Sequence, residues 1–92
     1  MKLNFAKMKV YEDITKKNIS VRDLRVGYAD IIFKRGTGVA DHALMHKVLD
    51  CTEETEFTDG EVKRLKEFFE TYCTPIFIDV FNDHLEEMNN KK

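Results

Sequence analysis

The sequence predicts an α+β fold dominated by helix, with a short N-terminal β-hairpin over residues 1–21 followed by about four helices over 22–88. Three observations predict it. Apolar residues alternate loosely with charged ones near the start, they recur at helical spacing from Val21 onward, and a capping motif and a proline mark two later helix starts. With 92 residues the chain makes one domain, and 42% hydrophobic with 35% charged residues is the balance of an ordinary globular protein. A domain of this size buries only about 60 to 65% of its unfolded surface, so an interface with a second chain would help it.

In the first element, Leu3, Phe5, Met8, Val10, Tyr11 and Ile14 stand between lysines and acids, which suits a half-buried strand. The register slips once between Phe5 and Met8, which implies either a bulge or two strand pieces. Thr15-Lys16-Lys17-Asn18 is a polar turn, and Ile19-Ser20-Val21 returns antiparallel. A hairpin alone is marginal in water, so its apolar face must lie on the helices that follow.

The first helix starts at Ser20 or Asp23. Val21, Leu24, Tyr28, Ile31 and Ile32 form its stripe, and Lys34, Arg35 and Gly36 close it, the glycine supplying the left-handed residue that ends helices. Gly27 inside it reads as a point of close helix approach. A second helix spans about 39–51, with Ala40, Leu44, Val48 and Cys51 on one stripe and Ala43 and Met45 beside it. After the acidic link 52–57, Thr58-Asp59-Gly60-Glu61 is a capping box, with Phe57 and Val62 placed as a hydrophobic staple. Val62, Leu65, Phe68, Phe69 and Tyr72 form the buried stripe of this third helix. Pro75 begins a fourth after the cap residue Thr74, with Ile76, Phe77, Val80, Phe81, Leu85 and Met88 inward and a tail at 89–92 that should fray.

Charge is polarised along the chain: residues 1–35 carry nine Lys or Arg against four acids, net +5, and residues 36–92 carry six against thirteen, net −7, giving −2 in all. A basic hairpin face of this kind suits an acidic partner, nucleic acid or the negative half of another copy, with plain solvated surface as the simpler reading. No apolar run approaches the roughly 18 residues of a membrane span, and no secretory signal is present, so the expected location is cytoplasmic. Cys51 and Cys73 have no metal-ligand spacing and read as free thiols.

Few chemistries can be assembled. His42 and His46 stand at i and i+4 on one helix face, the spacing that binds a transition metal in zinc hydrolases. Ala43 stands where such a motif has its catalytic glutamate, and a third ligand would have to be His84 or a distant acid, so surface histidines are the simpler account. Gly36-Thr37-Gly38 follows a helix rather than a strand and lacks the rest of a phosphate-binding fingerprint. As a helix-turn-helix it fails too, because the exposed set on the second helix, Asp41, His42, His46 and Asp50, reads no base edges and repels phosphate. Asp79, Asp83, Glu86 and Glu87 form the wet face of the last helix. No nucleophile is placed beside a base, so no enzyme, cofactor or resident metal is expected.

The segments Ala43-Leu44-Met45-His46-Lys47-Val48, Glu56-Phe57-Thr58-Asp59-Gly60-Glu61-Val62-Lys63-Arg64-Leu65-Lys66 and Thr74-Pro75-Ile76-Phe77-Ile78 resemble small phage and prophage proteins. These typically show an alanine-leucine helix, an acidic link and a Thr/Ser-Asp-x-Glu helix start. The resemblance covers roughly residues 20–85 and rests on capping and packing signals. It implies a mobile-element origin and assigns no catalytic or binding residue.

The expected function is therefore a non-enzymatic protein-protein interaction or assembly module, working as a homodimer or on a larger protein partner and not at a membrane. Phe77, Ile78, Phe81 and Met88 are the candidate interface, because the last helix has apolar residues on more than one side. The alternative is a nucleic-acid-associated regulatory protein using Lys2, Lys7, Lys9, Lys16, Lys17, Arg22 and Arg25 as a phosphate-contacting surface.

Overall fold

The computed structural model describes residues 1–90. An antiparallel hairpin of β1 (Met8–Tyr11) and β2 (Ile19–Arg22) precedes α1 (Arg25–Arg35), α2 (Gly38–Leu49), α3 (Asp59–Tyr72) and α4 (Pro75–Asn90). The fold is α+β and mostly helical, as the periodicities indicate.

The register slip near Phe5 resolves into two strand pieces rather than a bulge. Lys2 bridges Glu56 antiparallel, with the Phe57 amide donating to the Met1 carbonyl at 2.7 Å, so the first residues lie along the segment that enters α3. The chain then turns over Asn4–Lys7 and re-enters as β1, pairing Met8 with Arg22 and Tyr11 with Ile19. Met8 and Tyr11 are buried against α4, while β2 is exposed along its whole length. Ile14 falls in the 12–18 connection and is 92% exposed, not a strand residue of the core.

α1 begins at Arg25, later than expected, because the ladder holds Val21 and Arg22 in β2. The Asp23 carboxylate accepts from the Arg25 amide at 3.1 Å and serves the free helix start. Gly36 does not take the left-handed conformation: its φ is −73°, and it is needed because a Cβ there would stand 2.6 Å from the Ile32 carbonyl oxygen. The left-handed glycine is Gly38, at φ +80°. Gly27 faces open space, so it marks no close helix approach.

On α2 the buried set is Asp41, Leu44, Met45 and Val48, whereas Ala40 is exposed. Asp41, expected in solvent, accepts from the Thr37 amide (2.8 Å) and from Arg64 Nε (3.1 Å) and Nη2 (2.9 Å), tying the α1–α2 connection to α3. The capping box at α3 is complete: Thr58 Oγ1 accepts from the Glu61 amide and Glu61 Oε1 from the Thr58 amide. Tyr72 leaves the expected buried stripe and is 48% exposed beneath the Arg35 guanidinium. Of the tail at 89–92, Asn89 and Asn90 continue α4, and Lys91 and Lys92 lie outside the described residues.

The core closes around Phe5. Its ring meets Tyr28 at 5.5 Å, Phe57 at 5.8 Å, Phe81 at 6.0 Å and Phe69 at 6.4 Å between centroids, joining the N-terminal segment to α1, α3, α4 and the link before α3. Edge-to-face geometry at three of these contacts adds about 0.5 to 1.5 kcal/mol per pair to simple burial.

Candidate functional site

The expected interface on α4 is only partly available. Phe81 is a core residue, 1% exposed, because the helix turns it onto Phe5 and Phe69. Phe77 and Met88 pack half-buried against the same core, and the Phe77 carbonyl accepts the Tyr28 hydroxyl at 2.8 Å. Ile78 is half-buried.

Four exposed apolar residues with helical order, Val26, Phe33, Val39 and Leu49, lie instead on α1 and α2. Val26 and Phe33 are each 70% exposed, and across a shallow groove of about 310 Å³ they face His42, Met45, His46 and Leu49. On α1 the residues that pack inward are Tyr28, Ala29 and Ile32, so Val26 and Phe33, seven apart, form a second stripe on the outer side. On α2 the outer stripe is Val39, His42, His46 and Leu49, at steps of three, four and three. Arg25 Nη1 donates to the Cys51 carbonyl at 3.3 Å, so the start of α1 adjoins the end of α2 and the two helices run antiparallel. These residues were overlooked as a surface in the sequence because one apolar stripe per helix suffices for a core. The seven-residue spacings Val26 to Phe33 and His42 to Leu49 were the available signal.

His42 and His46 are exposed on the floor of this face, their ring centroids 4.8 Å apart. His84 does not join them. It is buried on α4, where its Nε2 accepts from the Asn4 amide at 3.0 Å. Among the described residues no group of three or more His, Cys, Asp or Glu side chains is placed to hold a metal.

The basic residues of the N-terminal third are spread over the surface and largely matched within the chain. Lys2 pairs with Glu54 (3.1 Å), Lys9 with Glu87 (3.3 Å), Lys16 with Asp83 (2.9 Å) and Asp79 (3.5 Å), and Arg25 with Asp23 (2.6 Å). Lys7, Lys17 and Arg22 are exposed and make no ion pair among the described residues. The acids of α4 are thus the docking surface of the hairpin: the Tyr11 hydroxyl also donates to Asp83 Oδ2 at 2.5 Å. Burial works to raise the Asp83 carboxyl, but hydrogen bonds from Tyr11 and Lys16 outweigh it and hold the group below the usual carboxylate range.

Cys51 is buried with Sγ donating to the Leu3 carbonyl at 3.0 Å, and burial pushes the half-buried Cys73 thiol up to about 11, leaving little thiolate at neutral pH. Cys73 lines an apolar cleft of about 300 Å³ between α1 and the α3–α4 junction, with Gly27 on its α1 wall. Among the described residues no helix is long and apolar enough to cross a membrane. No protein-family model matches this chain, and neither a curated protein nor a solved structure does.

Proposed function

We propose that this chain is a non-enzymatic self-association module, two copies joining through the outer face of α1 and α2. The observation that carries the reading is the pair Val26 and Phe33, each 70% exposed beside the Met45, His46 and Leu49 side of α2. Burying one such side chain is worth about 1.5 to 3 kcal/mol, and contiguous apolar surface of this kind marks interaction sites. The charge at its ends suits a second copy. Lys34, paired with Asp30 at 2.9 Å, and Arg35 close α1 at one end, and exposed Asp50 stands near the Arg25–Asp23 pair at the other. Two helices of 11 and 12 residues present a face roughly 18 Å long and 20 Å wide, smaller than the ~800 Å² per partner of a standard interface. The association is therefore weak and concentration-dependent.

The test is solution mass by light scattering over a concentration series in the presence of a chelator. The wild type is expected to move from monomer toward dimer as concentration rises, and Phe33→Glu, with an unchanged far-ultraviolet circular dichroism spectrum, to remain monomeric. A wild type that stays monomeric at every concentration, or a Phe33→Glu variant that associates equally well, overturns the reading.

A further inference from the structure

The outer stripe of α2 reads the same in both directions. Val39 and Leu49 lie five residues to either side of Leu44, and His42 and His46 lie two to either side. On α1, Val26 and Phe33 are likewise placed about the middle of the helix. A two-fold axis lying in the interface and crossing the helices sets α2 antiparallel on its counterpart and α1 antiparallel on its counterpart. Val39 then meets Leu49 of the second copy, and Phe33 meets Val26. It also brings the Lys34 and Arg35 end of one copy against the end of the other that holds Asp50 and the Arg25–Asp23 ion pair. The remaining two-fold arrangement, with its axis along the helices, puts Lys34 and Arg35 of both copies together and both Asp50 side chains together, which like-charge repulsion disfavours.

In the favoured arrangement His42 and His46 of one copy face His46 and His42 of the other at the centre of the contact. Two imidazoles at i and i+4 project from one helix face at the spacing of a bidentate metal clamp, and the present pair are already neighbours, 4.8 Å between ring centroids. One clamp leaves a tetrahedral ion two ligands short. The facing clamp supplies them, since among the described residues no group of three or more ligating side chains exists. We infer that His42 and His46 of two copies together form a bridging site for Zn²⁺ or a similar borderline transition-metal ion. This inference rests on the self-association reading. Four neutral nitrogen donors exclude Mg²⁺ and Ca²⁺, which take oxygen ligands. An ion held only by the dimer shifts the monomer–dimer equilibrium by mass action, so the metal strengthens a contact that is weak alone.

The experiment measures the dimer dissociation constant by sedimentation equilibrium in chelator and then in excess zinc chloride, with zinc bound per chain read by metal analysis after gel filtration. Wild type is expected to dimerise at least about tenfold more tightly with zinc and to retain one zinc per two chains. His42→Ala and His46→Ala, both at exposed positions, are expected to keep the fold; because both lie within the proposed contact, each is read by the ratio of its own zinc and chelator constants, which is expected to fall to about one. A zinc-independent dimer overturns the metal site and leaves self-association standing. A dimer seen only with zinc, and abolished in the histidine variants, supports the metal site and overturns the apolar face as sufficient. One zinc per chain with no change in mass overturns the bridge, as does a zinc effect that survives both histidine substitutions.

Discussion

Gly27 and Gly36 show how differently one residue type can be used within ten positions. Space is open around Gly27, whereas a Cβ on Gly36 would meet the Ile32 carbonyl, a backbone atom that cannot swing away. Gly27→Ala removes the flexibility penalty of glycine in a helix and is expected to stabilise the fold by about 0.5 to 1 kcal/mol. Gly36→Ala is expected to destabilise it by about 1 to 3 kcal/mol through overpacking. Urea titration of the two variants checks both signs, and equal effects would contradict the assignment. Sequence alone placed both glycines on the right elements but misread their reasons, since φ and neighbouring atoms are set by tertiary contact. Asp41 is the same kind of case. Its type and spacing suit a solvated helix face, and Arg64, 23 positions away, together with the Thr37 amide makes its burial tolerable.

At the scale of elements, signals that depend on adjacent residues were legible and those that depend on partners were not. The capping box is local chemistry, and α3 begins where Thr58 and Glu61 require. Thr58→Ala is expected to cost about 1 kcal/mol, and the midpoint of thermal unfolding to fall by about 4 to 8 °C. A midpoint unchanged within error would show that packing of Phe57 and Val62 alone holds the helix start. Val21, by contrast, satisfies both an alternating and a helical pattern, and only its pairing with Lys9 decides for β2. The apolar faces of α1 and α4 posed the same ambiguity. Both helices carry apolar residues on more than one side, but the second stripe of α4 closes half-buried on the core while that of α1 stays open. Which stripe is left over depends on the fold, and composition does not carry it.

The whole molecule has its sequence-level charge polarity folded back on itself, the lysines of the first third resting on acids of the last helix and the link before α3. Its pH dependence follows. Hydrogen bonds from Arg64 hold the Asp41 carboxyl below its ordinary range, and side-chain hydrogen bonds from Arg25 do so for Asp23. At Glu61, burial is outweighed by Lys47 and the Thr58 amide, with the same net direction. Groups depressed in the folded state bind fewer protons there than in the unfolded chain, so their contribution is present above the unfolded values near 4 and lost as pH falls through the folded ones. On the alkaline side, the hydrogen bond to Asp83 raises Lys16 and burial raises the Tyr28 phenol, so their contributions hold below about pH 10 and fade above it. Urea midpoints are expected to be flat between about pH 5 and 9 and to fall on both sides. A midpoint constant from neutral pH down to about pH 3 would show that these contacts contribute no net stability.

Phe5 also sets an order of events during synthesis. Its four ring partners span Tyr28 to Phe81, so Phe5 waits for partners made much later in the chain. At about 5 to 20 residues per second the intervening chain takes roughly 4 to 15 s to emerge. Through that interval the opening segment has no completed nest and its apolar side chains stay wet. The first helices can form while the chain is growing, whereas closing the nest around Phe5 must await synthesis of α4. The fold is thus finished at its beginning, and the nascent protein depends during those seconds on whatever shields Leu3 and Phe5.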